Sequence, residues 1–398
     1  MTGARNRGSE ALVSSIMYGL SHEMGAPNVR ISLHTQDAVY DREHLPAGID
    51  AIHSTSNMPP SRLSPAQQRC CFHAARWAAK TPLRRFLPGS IGDGLGADLI
   101  VATGGDTFTS DYGTFHRHVR TLHVGTPVAL LAQTIGPFTR EDAKLFVAST
   151  RNIVICTVRE SETLDYVRQI APHLQPQLTA DVAFLLPATA AESARAIVEV
   201  DNRFGIGERP LVGLSISAGV LSYRGDLDAE HYINEIAAFV DDLNCGGWSV
   251  LLLPHVQENW KRNNDIYACR DVFRRVSDRV NNAVLCAPMS ASDFKGVIGL
   301  CQVLVGARMH ATIASMSQGI PTVAIAYSRK AWAIMRDYYG ADFAKNTTVD
   351  VAKLDRRNLR SAFDHALSNG RTDTRAAQMR TLAAQNFPRI RDFLQQPR

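Results

Sequence analysis

Short apolar runs and amphipathic stretches alternate along almost the whole chain. From Ser9 to about residue 24 the apolar positions Ala11, Leu12, Ile16, Met17 and Leu20 recur at helical spacing, so a helix is expected after the turn Asn6-Arg7-Gly8-Ser9-Glu10. Apolar runs bounded by turn residues then predict strands at 29–34, 50–53, 98–103, 128–133, 153–158 and 177–183, with helices near 64–80, 113–122, 140–150 and 160–170. An Ala- and Glu-rich helical stretch at 190–202 leads into Phe204-Gly205-Ile206-Gly207-Glu208-Arg209-Pro210, which reads as an interdomain connection. The rhythm restarts with strands at 211–217, 248–254, 283–286, 303–306 and 322–326, separated by helices near 228–243, 261–277, 291–299, 309–318 and 330–338. From about residue 351 the pattern is wholly helical.

A repeated β-α-β rhythm implies α/β architecture with parallel sheets covered on both faces, and ligands at the carboxyl ends of the strands. The expectation is two Rossmann-like doubly wound domains facing a cleft, over 1–203 and 204–350, followed by C-terminal helices over 351–398. A length of 398 residues suits two or three domains. The 43 Lys and Arg exceed the 38 Asp and Glu by only five, with no run of like charge. That balance lacks the footprint of a duplex nucleic-acid binder and fits an anionic small molecule. Apolar runs such as 128–132 and 250–253 fall far short of the roughly 20 residues that span a bilayer, and the N-terminus lacks a secretory pattern, so a cytoplasmic location is expected. Seven Cys with no Cys-x-x-Cys pair argue against a disulfide framework and a zinc site; neither metal nor cofactor is expected.

Candidate chemistry concentrates where strands end. Thr103-Gly104-Gly105-Asp106 reads as a tight turn whose N–H groups face a ligand, with Asp106 and Asp111 at the rim; the alternative is an ordinary βα turn with Asp106 as a helix cap. In Val303-Leu304-Val305-Gly306-Ala307-Arg308-Met309-His310-Ala311 a buried strand passes through glycine into a helix start. There Arg308 offers a planar fork for phosphate or carboxylate, and His310 can transfer a proton near neutral pH. The plainer alternative is a structural ion pair and a core histidine. Lys330 after the next strand and Arg159 after 153–158 occupy equivalent positions, although Glu160 and Glu162 stand ready to pair with Arg159. His255 and Glu258 follow another strand and suit contact with a hydroxylated substrate or acid/base work. Leu83-Arg84-Arg85-Phe86-Leu87 offers peripheral contact with an anionic membrane surface, or simply a helix end with solvated arginines.

Taken together, Asn6-Arg7-Gly8-Ser9-Glu10-Ala11, Gly104-Gly105-Asp106, Gln133-Thr134-Ile135-Gly136-Pro137, Val158-Arg159-Glu160-Ser161, Thr179-Ala180-Asp181 and Gly306-Ala307-Arg308-Met309-His310-Ala311 resemble the polysaccharide pyruvyl transferase family, in order and spacing. The resemblance continues through Gln318-Gly319-Ile320-Pro321 to Tyr327-Ser328-Arg329-Lys330. It implies the two-domain architecture of GT-B nucleotide-sugar glycosyltransferases. It also implies phosphoenolpyruvate as donor and a sugar or lipid-linked glycan as acceptor, at the inner face of the membrane in polysaccharide and cell-envelope synthesis. By motif, Arg159, Arg308 and Lys330 are implied for the donor and His310 as catalytic acid. Asp106 is first choice for the base, with Glu258 second. Asn6, Glu10, Gly104, Gly105, Asp111, His255 and Glu258 are assigned to the acceptor. The family pattern places an apolar strand before the Asn-x-Gly turn, where this sequence has Met1-Thr2-Gly3-Ala4-Arg5; a strand ahead of Met1 is expected to stabilise the fold. The rival readings are a nucleotide-sugar glycosyltransferase on the same architecture and a non-catalytic glycan-binding protein.

Overall fold

Runs such as Val128–Ile135 and Val303–Gly306 are buried along their whole length, as strands must be when helices cover both faces of a parallel sheet. The computed structural model describes residues 3–25, 29–55, 94–111, 113, 115–123, 125–202 and 209–396, with residues 74, 77, 78, 81 and 83. Most of the helix predicted at 64–80 and most of the patch at 83–87 lie outside the described residues. The chain divides into two compact units, one of Met1–Ala4, Leu12–Val182 and Leu382–Arg398, the other of Arg5–Ala11 and Ala183–Thr381. The helix Arg7–Met24 thus starts in the second unit and continues in the first.

In the first unit, β1 (Ser32–Thr35) and β2 (Ala51–Ser54) pair in parallel. A second parallel sheet has the order β3-β5-β6-β7, formed by β3 (Ile100–Ala102), β5 (Val128–Ile135), β6 (Ile153–Val158) and β7 (Gln177–Leu178), and β4 (Gly105–Phe108) also pairs with β5. Here the structure overturns the alternative of a βα turn with Asp106 as a helix cap. The backbone kinks at Gly104 and Gly105, both at positive φ (69° and 87°), and resumes as strand along the same neighbour, so Asp106 sits in β4 and caps no helix. A side chain at Gly104 would bring its Cβ to 3.0 Å from the Leu131 carbonyl oxygen. The helix Asn386–Gln395 belongs to this unit through Asn386, whose Oδ1 accepts from the hydroxyls of Thr157 (2.5 Å) and Thr179 (3.2 Å).

The second unit holds β8 (Leu211–Ser215), β9 (Ser249–Leu252), β10 (Asn282–Val284), β11 (Val303–Gly306), β12 (Thr322–Ala326) and β13 (Thr348–Asp350), all parallel, in the order β10-β9-β8-β11-β12-β13. Numbered within the unit this is 3-2-1-4-5-6, and the order reverses between β8 and β11, where a doubly wound sheet binds its ligand. The register is tied past the strand ends by Ala307 N–H donating to Ser215 O at 2.7 Å. Val212, Leu214, Val250, Leu252, Val303 and Val305 pack one face of the sheet, each worth about 1.5–3 kcal/mol of burial.

The expected domain limits move. Ala194 and Val198 of the helix Ala191–Asn202 pack with Leu211 and Phe294, which places that helix in the second unit rather than before a boundary at 203/204. Leu359 and Phe363 of the helix Arg356–Asn369 enter the core around β8 and β11, so 351–398 is not a separate helical module. An amphipathic pattern shows that a face is buried without showing which core receives it. Among the described residues no helix is long and apolar enough to cross a membrane.

Candidate active site

Arg308 stands at the reversal point of the second sheet, as the residue preceding the helix Met309–Met316. Its guanidinium forms a two-pronged pair with Asp265, Nε to Oδ2 at 2.9 Å and Nη2 to Oδ1 at 2.7 Å, and Nη2 also reaches Asn263 Oδ1 at 3.0 Å. Asp265 is fully buried and also accepts from the backbone N–H groups of Ala218 and Val256, both at 2.9 Å. The carboxylate is therefore saturated and the arginine plane is held rigidly. Burial opposes the charge on Arg308, but Asp265 outweighs it and raises the pKa above arginine's ordinary value. Asn263 extends the array by donating its Nδ2 to Glu258 Oε2 at 2.9 Å. Lys330, 6% exposed, lies in the first turn of the helix Arg329–Tyr339 after the neighbouring β12.

The N-terminal turn packs against the same unit. Asn6 bridges to Val256, Arg7 N–H donates to His255 O at 3.3 Å, and Asn6 Oδ1 accepts from Gly8 N–H at 3.0 Å. Gly8 touches His310: a Cβ there would lie 2.4 Å from the imidazole Nδ1, so only glycine leaves room for the ring. Glu10, 2% exposed, pairs with Arg7 (3.0 Å) and accepts from Ala291 N–H (2.9 Å) at the start of the helix Ala291–Ile298. Burial lifts its pKa, opposed by Arg7. This placement makes Glu10 a buried cap with its oxygens occupied. His255 is 3% exposed with its ring edge-on to Phe294 at 5.0 Å, an enclosed setting that differs from the contact with a hydroxylated substrate expected from its position after a strand. Lys295, 4% exposed, donates to Leu186 O at 2.6 Å, and burial lowers its pKa to about 7.

Arg159, Gly104, Gly105, Asp106 and Asp111 belong to the first unit. Arg159 is almost wholly buried; Nη1 contacts Asp181 Oδ2 at 2.6 Å, Nε donates to Thr134 Oγ1 at 2.9 Å, and Glu160 lies 3.5 Å away. Burial raises the pKa of Glu160 against the pull of Arg159. Asp111 is exposed and Asp106 half-buried. Sequence reading missed Asp265, Asn263, Arg7 and Lys295. Asp265 has only the signature of an acidic residue at a helix start, and its partner is 43 residues away. Among the described residues no group of three or more His, Cys, Asp or Glu is arranged to hold a metal ion.

This pairing of Rossmann-like α/β units is the GT-B type. The chain is similar in fold to the UDP-GlcNAc 2-epimerase of Methanocaldococcus jannaschii (TM-score 0.58, 11% identity, 96% of each chain covered). It is also similar to Staphylococcus aureus MnaA, solved with UDP (TM-score 0.56, 7% identity, 98% of this chain and 95% of that one). Residues 6–329 match the polysaccharide pyruvyl transferase family, and the chain belongs to that family. The amylovoran biosynthesis protein AmsJ of Erwinia amylovora is 24% identical over 277 residues, which span 60% of this chain and 59% of that protein.

Proposed function

We propose that this protein is a transferase that moves the pyruvyl group of phosphoenolpyruvate onto a sugar of a polysaccharide or its lipid-linked precursor, forming a pyruvate ketal. The observation that carries this reading is the rigid Arg308 fork at the sheet reversal with His310 two residues further on, in the first turn of the helix. Phosphoenolpyruvate carries a phosphate and a carboxylate on a small frame, and fixed planar cations suit both. Arg308 and Lys330 are assigned to this donor, and Arg159 by motif.

The reaction balances without a cofactor. His310 delivers a proton to the methylene carbon, positive charge develops at the adjacent carbon, and one sugar hydroxyl adds there while losing its proton to a base. The second hydroxyl then displaces phosphate and closes the ketal; its proton leaves with the phosphate, and the proton held by the base returns to His310 through solvent. Asp106 is assigned as the base, with Glu258 as the alternative. Asn6, Gly104, Gly105 and Asp111 are assigned to the acceptor.

Titration calorimetry tests the donor assignment. Phosphoenolpyruvate should bind the wild-type protein, UDP-GlcNAc should not, and Arg308→Ala should weaken binding by about 2–5 kcal/mol. Binding of the nucleotide sugar alone would replace this reading with a glycosyltransferase.

A further inference from the structure

Within the second unit lies a cavity of about 10 Å³, lined by Arg7, His255, Lys295 and His310 among apolar side chains. That volume admits one water molecule, and the polar lining supplies the several partners a buried water requires. His255 Nδ1 is buried and has no hydrogen-bond partner among the described residues, a costly state for a ring nitrogen. Nothing in the proposed chemistry uses this group, which is too enclosed to meet a glycan.

The surroundings favour a neutral His255. Burial, then the positive fields of His310 when it is protonated, of Arg308 and of Arg7, hold its pKa well below the ordinary histidine value. Arg7 shares its charge with Glu10, Arg308 with Asp265, and Lys295 spends donors on the carbonyls of Leu186 and Phe184. A neutral imidazole has one donor and one acceptor nitrogen, so a water beside it is oriented and can in turn orient a second ring. His310 needs that control: to serve as acid it must take up its labile proton on the nitrogen that faces the substrate, so in the neutral ring the resident hydrogen must sit on the other nitrogen.

We infer that His255 is a positioning residue for His310: a single water in this cavity links His255 Nδ1 to the His310 ring and fixes its tautomer. The catalytic consequence rests on the pyruvyl-transfer reading; the tautomer does not. The test is long-range proton–nitrogen correlation of the histidine rings in the full chain without substrate, at neutral pH, with His310 assigned by its disappearance in His310→Gln. His255→Phe keeps a ring against Phe294 but carries no nitrogen, whereas His255→Asn returns a polar atom near the Nδ1 position. His310 should show one tautomer in the wild type, a mixture in His255→Phe, and one again in His255→Asn. His255→Gln, whose amide falls near Nε2 instead, replaces the Phe variant should that one not fold. With phosphoenolpyruvate and acceptor, His255→Phe should lose roughly 10-fold or more in kcat while KM for the donor stays within about two-fold. Unchanged His310 signals in the variants lacking Nδ1 would overturn the inference, as would equal disturbance by Asn and Phe. Absence of wild-type turnover would count against the transfer reading alone, because the ring signals are read without substrate.

Discussion

Gly8 and Lys295 show how much single positions decide near His310. At Gly8 an added methyl meets the imidazole Nδ1, Cγ and Cβ at 2.4, 2.8 and 3.1 Å, so the whole ring must move rather than its tip. Gly8→Ala is expected to keep the fold, since alanine is the better helix former by about 1 kcal/mol, and to lower kcat by roughly 100-fold through displacement of His310. Wild-type turnover in the folded variant would remove Gly8 from the account. Lys295 has a folded pKa of about 7, depressed by burial from the value of 10.5 for a free side chain. Between these values the unfolded chain binds more protons, so this group makes stability rise with pH from about 7 towards 10.5 and leaves its full penalty in place below 7. The slope is at most about 1.4 kcal/mol per pH unit. Urea unfolding of wild type and Lys295→Met at pH values across that window should show the wild type gaining relative to the variant as pH rises, and parallel curves would contradict the assignment.

At the scale of elements, the kink between β3 and β4 holds Asp106. Gly104→Ala forces a non-glycine residue into φ +69° and presses its Cβ on a carbonyl oxygen at 3.0 Å, and should cost about 1–3 kcal/mol in thermal or denaturant unfolding. Equal stability would mean that the loop relaxes freely. The strands 153–158, 303–306 and 322–326 were legible in the sequence because continuous apolar runs between turn residues have few other solutions. β4 was not legible: Gly105-Asp106-Thr107-Phe108 has one large apolar residue, and its pairing comes from following β5 after the kink. The short helix Ala38–His44 was missed although Asp37 accepts from Tyr40 N–H at its start, because seven residues give too little periodicity. The positions of Arg308 and His310 could be read from strand, glycine and helix start in one stretch. Their fixing partners Asp265 and Gly8 were not legible as partners, since tertiary packing alone brings those separate segments together.

For the molecule as a whole, family membership and the pairing of two Rossmann-like units narrow the chemistry without setting the donor, since the same fold serves epimerases that act on a nucleotide sugar. Pyruvyl transfer as proposed would consume phosphoenolpyruvate, release phosphate and leave a ketal on a sugar. Phosphorus NMR of the full chain with phosphoenolpyruvate and a panel of glycan acceptors, coupled to product mass spectrometry, reads both halves at once. Inorganic phosphate should appear in step with a glycan heavier by one pyruvate less one water, with both signals lost in His310→Gln. A wild-type protein that leaves phosphoenolpyruvate intact with every acceptor, or a His310→Gln variant that forms ketal at the wild-type rate, would contradict it.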